Sequence, residues 1–285
     1  MKKILATTDF SKAGDNALLY AAALAVHTKC TLHIIHATHI PVVNDSFFDI
    51  SYTLEELRKS DEERMFELID VLRKKFGPDL KLEEETQIGF TTELISEIIK
   101  SEEVQLVVMG IAPADRMSEL IFGSTSTLVA GQLHIPVLIV PSGVKFRPWS
   151  KLAFTFDQKN VAAEAAGLIK LLTKPFGTAL HFVNVQDEAI PHEDDNMLKP
   201  LFKALGEKAP RVHYLKYVPN STVMIIQDWA RRYKATAIAM IAREHSIFWK
   251  MLHERTTKKM AFHTKVPLLI IPERLEKKAP ILQRK

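Results

Sequence analysis

The chain has 285 residues, 47% of them apolar and 25% charged, with a formal net charge of +4. That profile fits a globular protein long enough for two domains with cores of their own. No stretch offers the ~18 uninterrupted apolar residues of a membrane span, the start lacks a signal-peptide pattern, and the expected location is the cytoplasm. A single cysteine, Cys30, excludes an internal disulfide and a cysteine-built metal site.

In chain order, Lys3 to Thr8 reads as a short buried strand that stops at Asp9. Ser11 or Asp9 then caps a helix over residues 12–28, whose Leu18, Ala21, Ala22 and Ala25 form an apolar face. Its many alanines allow close approach to a sheet. Thr31 to Ala37 is a second strand. Residues 38–52 form an irregular insertion with Phe47 and Phe48, suited to a lid or a partner contact. Glu55 to Lys75 is a charged amphipathic helix ended by Gly77-Pro78. Leu80 to Ile88 alternates apolar and polar residues, as a strand with one less buried side does. Thr91 or Thr92 caps a helix to about Lys100, and Gln105–Met109 and Val137–Val140 are buried strands.

The same order then returns. Lys151-Leu-Ala-Phe-Thr-Phe-Asp157 echoes Lys3-Ile-Leu-Ala-Thr-Thr-Asp9, and Val266-Pro-Leu-Leu-Ile-Ile-Pro272 echoes Ile135-Pro-Val-Leu-Ile-Val-Pro141. The second set of strands falls near 151–156, 179–185, 211–218, 236–241 and 267–271, with helices near 158–173, 197–207, 221–233 and 254–263. One α/β unit has been duplicated. The pattern predicts two repeated open α/β/α domains, each with a mostly parallel five-stranded sheet and right-handed crossovers. The predicted domains are residues 1–141 and 150–272, with a linker at 142–149 and a charged tail at 273–285. The basic tail reads as a solvated extension, and no aromatic-rich basic groove points to nucleic acid.

Open α/β sheets bind ligands at the carboxyl ends of their strands, where Asp9 stands. As an isolated aspartate it reads equally well as a helix cap. Val107-Val-Met-Gly110 and Gly123-Ser-Thr-Ser126 are the sharper pair. Gly110 ends a buried strand, where a missing side chain lets a ligand approach the backbone. Gly123 and Ser124 open a helix whose free N–H groups favour an anion, with hydroxyls from Ser124, Thr125 and Ser126; as serines at a helix start they also read as caps. Neither a dinucleotide fingerprint nor a Walker A loop occurs. Strand alternation sends His33 and His36 to opposite faces, and the spacing fixes no acidic partner for them or for His39, so no metal site is expected. Trp149, Trp229 and Trp249 are scattered, with no aromatic platform implied.

The strand ending in aspartate, the Val-Met-Gly to Gly-Ser spacing and the closing Pro-Val-Leu-Ile-Val strand resemble the universal stress protein (UspA) family in its tandem form, over residues 2–141 and 150–272. The resemblance implies ATP or another adenine nucleotide, with magnesium, held by Thr8, Asp9, His36, Ala37, Met109, Gly110, Arg116, Gly123, Ser124, Thr125 and Ser126. The family's loop reads glycine, two residues, glycine, nine residues, glycine, then serine or threonine. Here Pro113 replaces the middle glycine, and proline neither adopts a left-handed conformation nor donates an N–H. Arg116 stands at a position that is commonly small. In the second copy His253-Glu254 replaces Gly-Ser, and a glutamate there repels phosphate. The second domain is therefore expected to be degenerate. The resemblance also implies pairing of the two domains through their last strands, a homodimer and an unidentified protein partner. Function is expected to be a non-catalytic stress-response switch. The alternatives are a slow magnesium-dependent ATP hydrolase, which lacks a loop lysine and a clear general base, and a nucleotide-free interaction module.

Overall fold

The structure is a computed structural model that describes residues 1–39, 50–111, 135–156, 165–186, 198–206, 210–218, 222–242 and 265–272. The first half runs β1 (Lys3–Thr7), α1 (Lys12–Thr28), β2 (Thr31–Thr38), α2 (Ile50–Phe76), β3 (Lys81–Ile88), α3 (Thr91–Ser101), β4 (Val104–Ile111) and β5 (Val137–Pro141). The second runs β6 (Lys151–Thr155), α4 (Ala165–Thr173), β7 (Ala179–Gln186), α5 (Lys199–Leu205), β8 (Arg211–Lys216), α6 (Thr222–Arg232), β9 (Ala237–Ala242) and β10 (Leu268–Pro272).

The strands form one ten-stranded sheet in the order β3-β2-β1-β4-β5-β10-β9-β6-β7-β8. Each half supplies five parallel strands with its first strand at the centre. The halves join where β5 and β10 run antiparallel, with Leu268 opposite Ile139 and Leu269 opposite Leu138. Apolar strands such as Ile4–Ala6 and Leu106–Val108 are fully buried, as a sheet covered on both faces requires. On one face pack α1, α2, α4 and α5, with Leu18, Leu72, Ile169 and Leu201; on the other pack α3 and α6, with Ile95 and Trp229.

Local chemistry explains the element ends. Ser11 caps α1, its Oγ accepting from the Gly14 N–H at 3.1 Å, and Lys29 closes the helix in the left-handed region with φ 54°. The Lys29 and Cys30 N–H groups then donate to Val26 and Ala25 carbonyls, a Schellman-type end. Two expectations need correction. The cap of α3 is Phe90, extended and without a side-chain hydrogen bond, so Thr91 and Thr92 lie inside the helix. Helix α2 begins at Ile50, within the stretch expected to be irregular. A fully buried Trp149, between β5 and β6, ties the halves together by donating its Nε1–H to the Tyr20 hydroxyl at 2.7 Å.

Candidate functional site

Strand β1 has β2 on one side and β4 on the other, so the crossovers diverge at its carboxyl end. This is the crevice where open α/β sheets receive ligands. The Thr8 N–H extends the ladder to the Ile35 carbonyl at 3.0 Å. The chain then turns sharply. Thr8 Oγ1 accepts from the Phe10 N–H at 2.9 Å, and Asp9 Oδ1 accepts from the Ser11 N–H at 3.0 Å. Phe10 takes a positive φ of 55°. Asp9 is exposed, and Ser11 alone caps the helix with its side chain.

Two glycines make this corner possible. A Cβ on Gly14 would stand 2.7 Å from Asp9 Oδ1, so a larger residue there would push the carboxylate away from the first turn of α1. A Cβ on Gly110 would stand 2.4 Å from the Ala13 carbonyl oxygen. Gly110 was expected to open its backbone to a ligand. Its missing side chain instead admits the backbone of α1. Asp15, one turn into α1, has its carboxyl pushed up by burial and by nearby Asp9, with Arg64 acting the other way.

Thr8, His36, Ala37 and Met109 are all buried around this corner. Ala37 and Met109 face the α3 side with Leu5 and Ile35. The His36 ring lies on the other side and is fully engaged. Its Nδ1 meets the Thr8 carbonyl at 2.8 Å and its Nε2 meets Asp61 Oδ2 at 3.0 Å, while the Thr38 hydroxyl donates to the same Asp61 oxygen at 2.8 Å. Phe10 packs at a tilt against His36 with centroids 4.3 Å apart, and the Arg64 guanidinium covers Phe10 at 4.4 Å. Asp61 and Arg64, both on α2, therefore clamp the Asp9 turn. Neither was foreseen, because residues this far apart in sequence give no spacing signal. Arg116, Gly123, Ser124, Thr125 and Ser126, like Pro113, lie outside the described residues. For a nucleotide, what fits is the exposed Asp9 carboxylate, which can meet a ribose hydroxyl or a magnesium-bound water.

The second copy builds the same corner differently. The Phe156 N–H donates to the Val183 carbonyl at 3.1 Å, and Asn184 Nδ2 donates to the Phe156 carbonyl at 2.8 Å, standing where His36 stands in the first copy. Ile241 pairs with Ile271 as Gly110 pairs with Val140. The position that glycine opens to α1 is thus filled by a buried isoleucine. Asp157, His245, His253, Glu254 and Trp249 lie outside the described residues.

At the amino ends of the strands the copies diverge in charge. His33 is buried, with Nδ1 3.1 Å from Glu102 and Nε2 3.6 Å from Glu85. Lys3 Nζ lies 2.5 Å from Glu83 and 2.8 Å from Glu102. Burial opposes the charge on Glu102, yet hydrogen bonds from Lys3 and His33 outweigh it and hold that carboxyl below its usual range. Burial likewise opposes the Lys3 ammonium, but Glu102 and Glu83 raise its pKa. Ligand atoms of His33, Glu83 and Glu102 lie within 4.8 Å of one another, a spacing open to a metal ion. The acidic partners absent from the sequence reading are therefore present, with the Lys3 ammonium bound to both glutamates.

In the second copy Lys151 and His181 occupy the places of Lys3 and His33, while Arg211 and His213 take those of Glu83 and Glu85 in the strand register. His181 Nδ1 lies 3.0 Å from His213 Nε2, and Trp229 stacks on Tyr233 beside them at 4.5 Å. Of the three tryptophans, Trp229 joins this cluster, Trp149 hydrogen-bonds Tyr20, and Trp249 lies outside the described residues. Burial, then the cations His213, Arg211 and Lys151, push the His181 pKa down to about 4; burial lowers that of His213.

Residues 1–141 match the model of the Universal stress protein family. No curated protein is significantly similar in sequence. Among solved structures, a universal stress protein from Archaeoglobus fulgidus DSM 4304 is similar over 95% of this chain and 98% of its own, with TM-score 0.72 and 20% identity. A functionally unknown protein from Pseudomonas aeruginosa PAO1 covers 95% of this chain and 92% of its own, with TM-score 0.55 and 14% identity. These likenesses show the fold. No helix among the described residues is long and apolar enough to cross a membrane.

Proposed function

With residues 1–141 belonging to the universal stress protein family, we propose that the first half binds an adenine nucleotide, ATP with magnesium, at the carboxyl end of β1, and that binding acts as a non-catalytic switch in a stress response. The observation that carries this reading is Asp9. Its carboxylate is exposed at the divergence of the crossovers, with one oxygen fixed by the Ser11 N–H. A fixed, solvent-facing carboxylate suits a ribose hydroxyl or a magnesium-bound water. Gly123 to Ser126 supply the phosphate contacts in this proposal, while the second half, with Ile241 in place of Gly110, takes no nucleotide.

Among the described residues, Arg64 of α2 covers Phe10 in the turn and Lys12 opens α1 just after it. The sequence holds no Walker A lysine, which favours binding over rapid turnover. Retention of labelled ATP on the purified chain, followed by chromatography of the bound label, tests both parts. The expected result is intact ATP over hours, with affinity at least tenfold weaker in Asp9→Ala. Repeated turnover to ADP would sink the non-catalytic part. A second reading, a nucleotide-free interaction module, is favoured by one observation, the α1 backbone packed into the space beside Gly110. Unchanged, absent retention in wild type and variant would support it.

A further inference from the structure

Strands β3 and β8 end the ten-stranded sheet, each with one strand partner among the described residues. A strand edge presents backbone N–H and C=O groups to any strand that can pair with it. Charge separates the two edges. β3 carries Glu83, Glu84 and Glu85 in succession, with Glu83 and Glu84 exposed and Glu85 half-buried. β8 carries exposed Arg211 with Lys151 nearby, while burial holds His213 and His181 beside them toward their neutral forms.

These opposite charges share one face of the sheet. Glu83 is in register with His33, and Arg211 with His181. The face continues across the joint, because Ile139 and Leu268, directly opposite, pack into the same core as Ile35 and Val183. All other strand pairs are parallel, so the single antiparallel joint makes β3 and β8 run in opposite directions. A second copy placed beyond β3 in the same orientation therefore brings its β8 alongside as an antiparallel partner. In one register Glu85 lies opposite Arg211, Glu83 opposite His213 and Glu84 opposite Val212. Opposite charges facing across strands are favourable, whereas β3 against β3 sets glutamates against glutamates and β8 against β8 sets cations against cations. Lys3 neutralises part of the acidic edge through Glu83, leaving Glu84 and Glu85 outside its contacts.

We propose that this chain associates head to tail with further copies of itself, the acidic β3 edge of one pairing with the basic β8 edge of the next. Such a contact is heterologous and leaves a free edge at each end, so growth is open.

Sedimentation velocity of the full chain tests this at low salt and again at about 0.5 M salt, where charge attraction is screened beyond a few ångströms. The expected result is a concentration-dependent series of oligomers at low salt that collapses to single chains at high salt. A chain with Glu83→Arg and Glu85→Arg, and a second with Arg211→Glu and His213→Glu, each remain single alone. Mixed in equal amounts, they restore the series, because every contact again joins opposite charges. Circular dichroism establishes that each is folded. Glu85→Arg alone, outside the Lys3 contact and opposite Arg211, is the milder variant and weakens association about tenfold. A wild-type chain that stays single at low salt and high concentration overturns the proposal. So does assembly that the charge variants leave unchanged.

Discussion

The two amino-terminal clusters occupy the same place in a duplicated unit and solve its electrostatics in opposite ways. Around His33 a half-buried lysine is met by glutamates, so cation and carboxylate hold each other. Around His181 the glutamate positions have become Arg211 and His213, and Tyr233 offers Lys151 only a backbone carbonyl, 3.0 Å from its ammonium. That cluster stays together by remaining partly uncharged, through a pair of stacked imidazoles against Trp229 and Tyr233. Duplication preserved the scaffold positions and left their charge free to invert.

The comparison breaks most severely at Gly110 and Ile241. Gly110→Ala drives a Cβ into the Ala13 carbonyl and costs about 3 kcal/mol, the upper end for overpacking a close contact. Gly110→Ile, which carries the second copy's residue into the first, abolishes cooperative unfolding of the first half. Ile241→Ala leaves a cavity instead and costs about 2–4 kcal/mol. Urea unfolding followed by near-ultraviolet signals measures all three, and a tolerated Gly110→Ile would show that α1 can stand off from β4.

Acid separates the clusters next. His181 has an ordinary value of 6.5 and a folded value of about 4, so the unfolded chain binds the extra proton first. Stability is therefore lost as pH falls from 6.5 towards 4, by on the order of 2–3 kcal/mol. Glu102, held low by its partners, acts in the lower window: its contribution is present above its ordinary value of 4.5 and is lost as pH falls through the folded value. At pH 5 the second half should exchange its amides faster than the first. His181→Phe should flatten the loss between 6.5 and 4 while leaving the more acidic limb in place.

The smallest difference is at the lysines. Lys3→Met strands Glu83 and Glu102 beside His33 and costs about 1–2 kcal/mol, discounted for partial exposure. Lys151→Met removes a cation from His181 and costs less than about 0.5 kcal/mol. It also moves the His181 titration upward, which proton magnetic resonance reads directly.

Much of this architecture was legible in the sequence because it depends on local signals. Ile4–Ala6 is an unbroken apolar run that stops at Thr8-Asp9, and the alanines of α1 announce a helix pressed onto a sheet. The fold and the repeated α/β halves follow from those runs. Helix ends were harder: Phe90 caps α3 by backbone geometry alone, which no side chain advertises. At the site, Asp9 was readable as the end of a strand. Gly14 was not, since its reason is the carboxylate folded back over it, and Gly110 was assigned a ligand where α1 stands. His36 with Asp61, Phe10 with Arg64, and His181 with His213 meet only once strands and helices are packed together. No spacing rule reaches across those separations.

In the proposed function, one copy kept a nucleotide corner and the other lost it. Isothermal titration of the nucleotide-free chain with ATP and magnesium tests this most directly, alongside Asp9→Ala and Asp157→Ala. The predicted result is one ATP per chain, lost in Asp9→Ala and retained in Asp157→Ala. Two per chain, or one that disappears with Asp157 and survives the loss of Asp9, would contradict it.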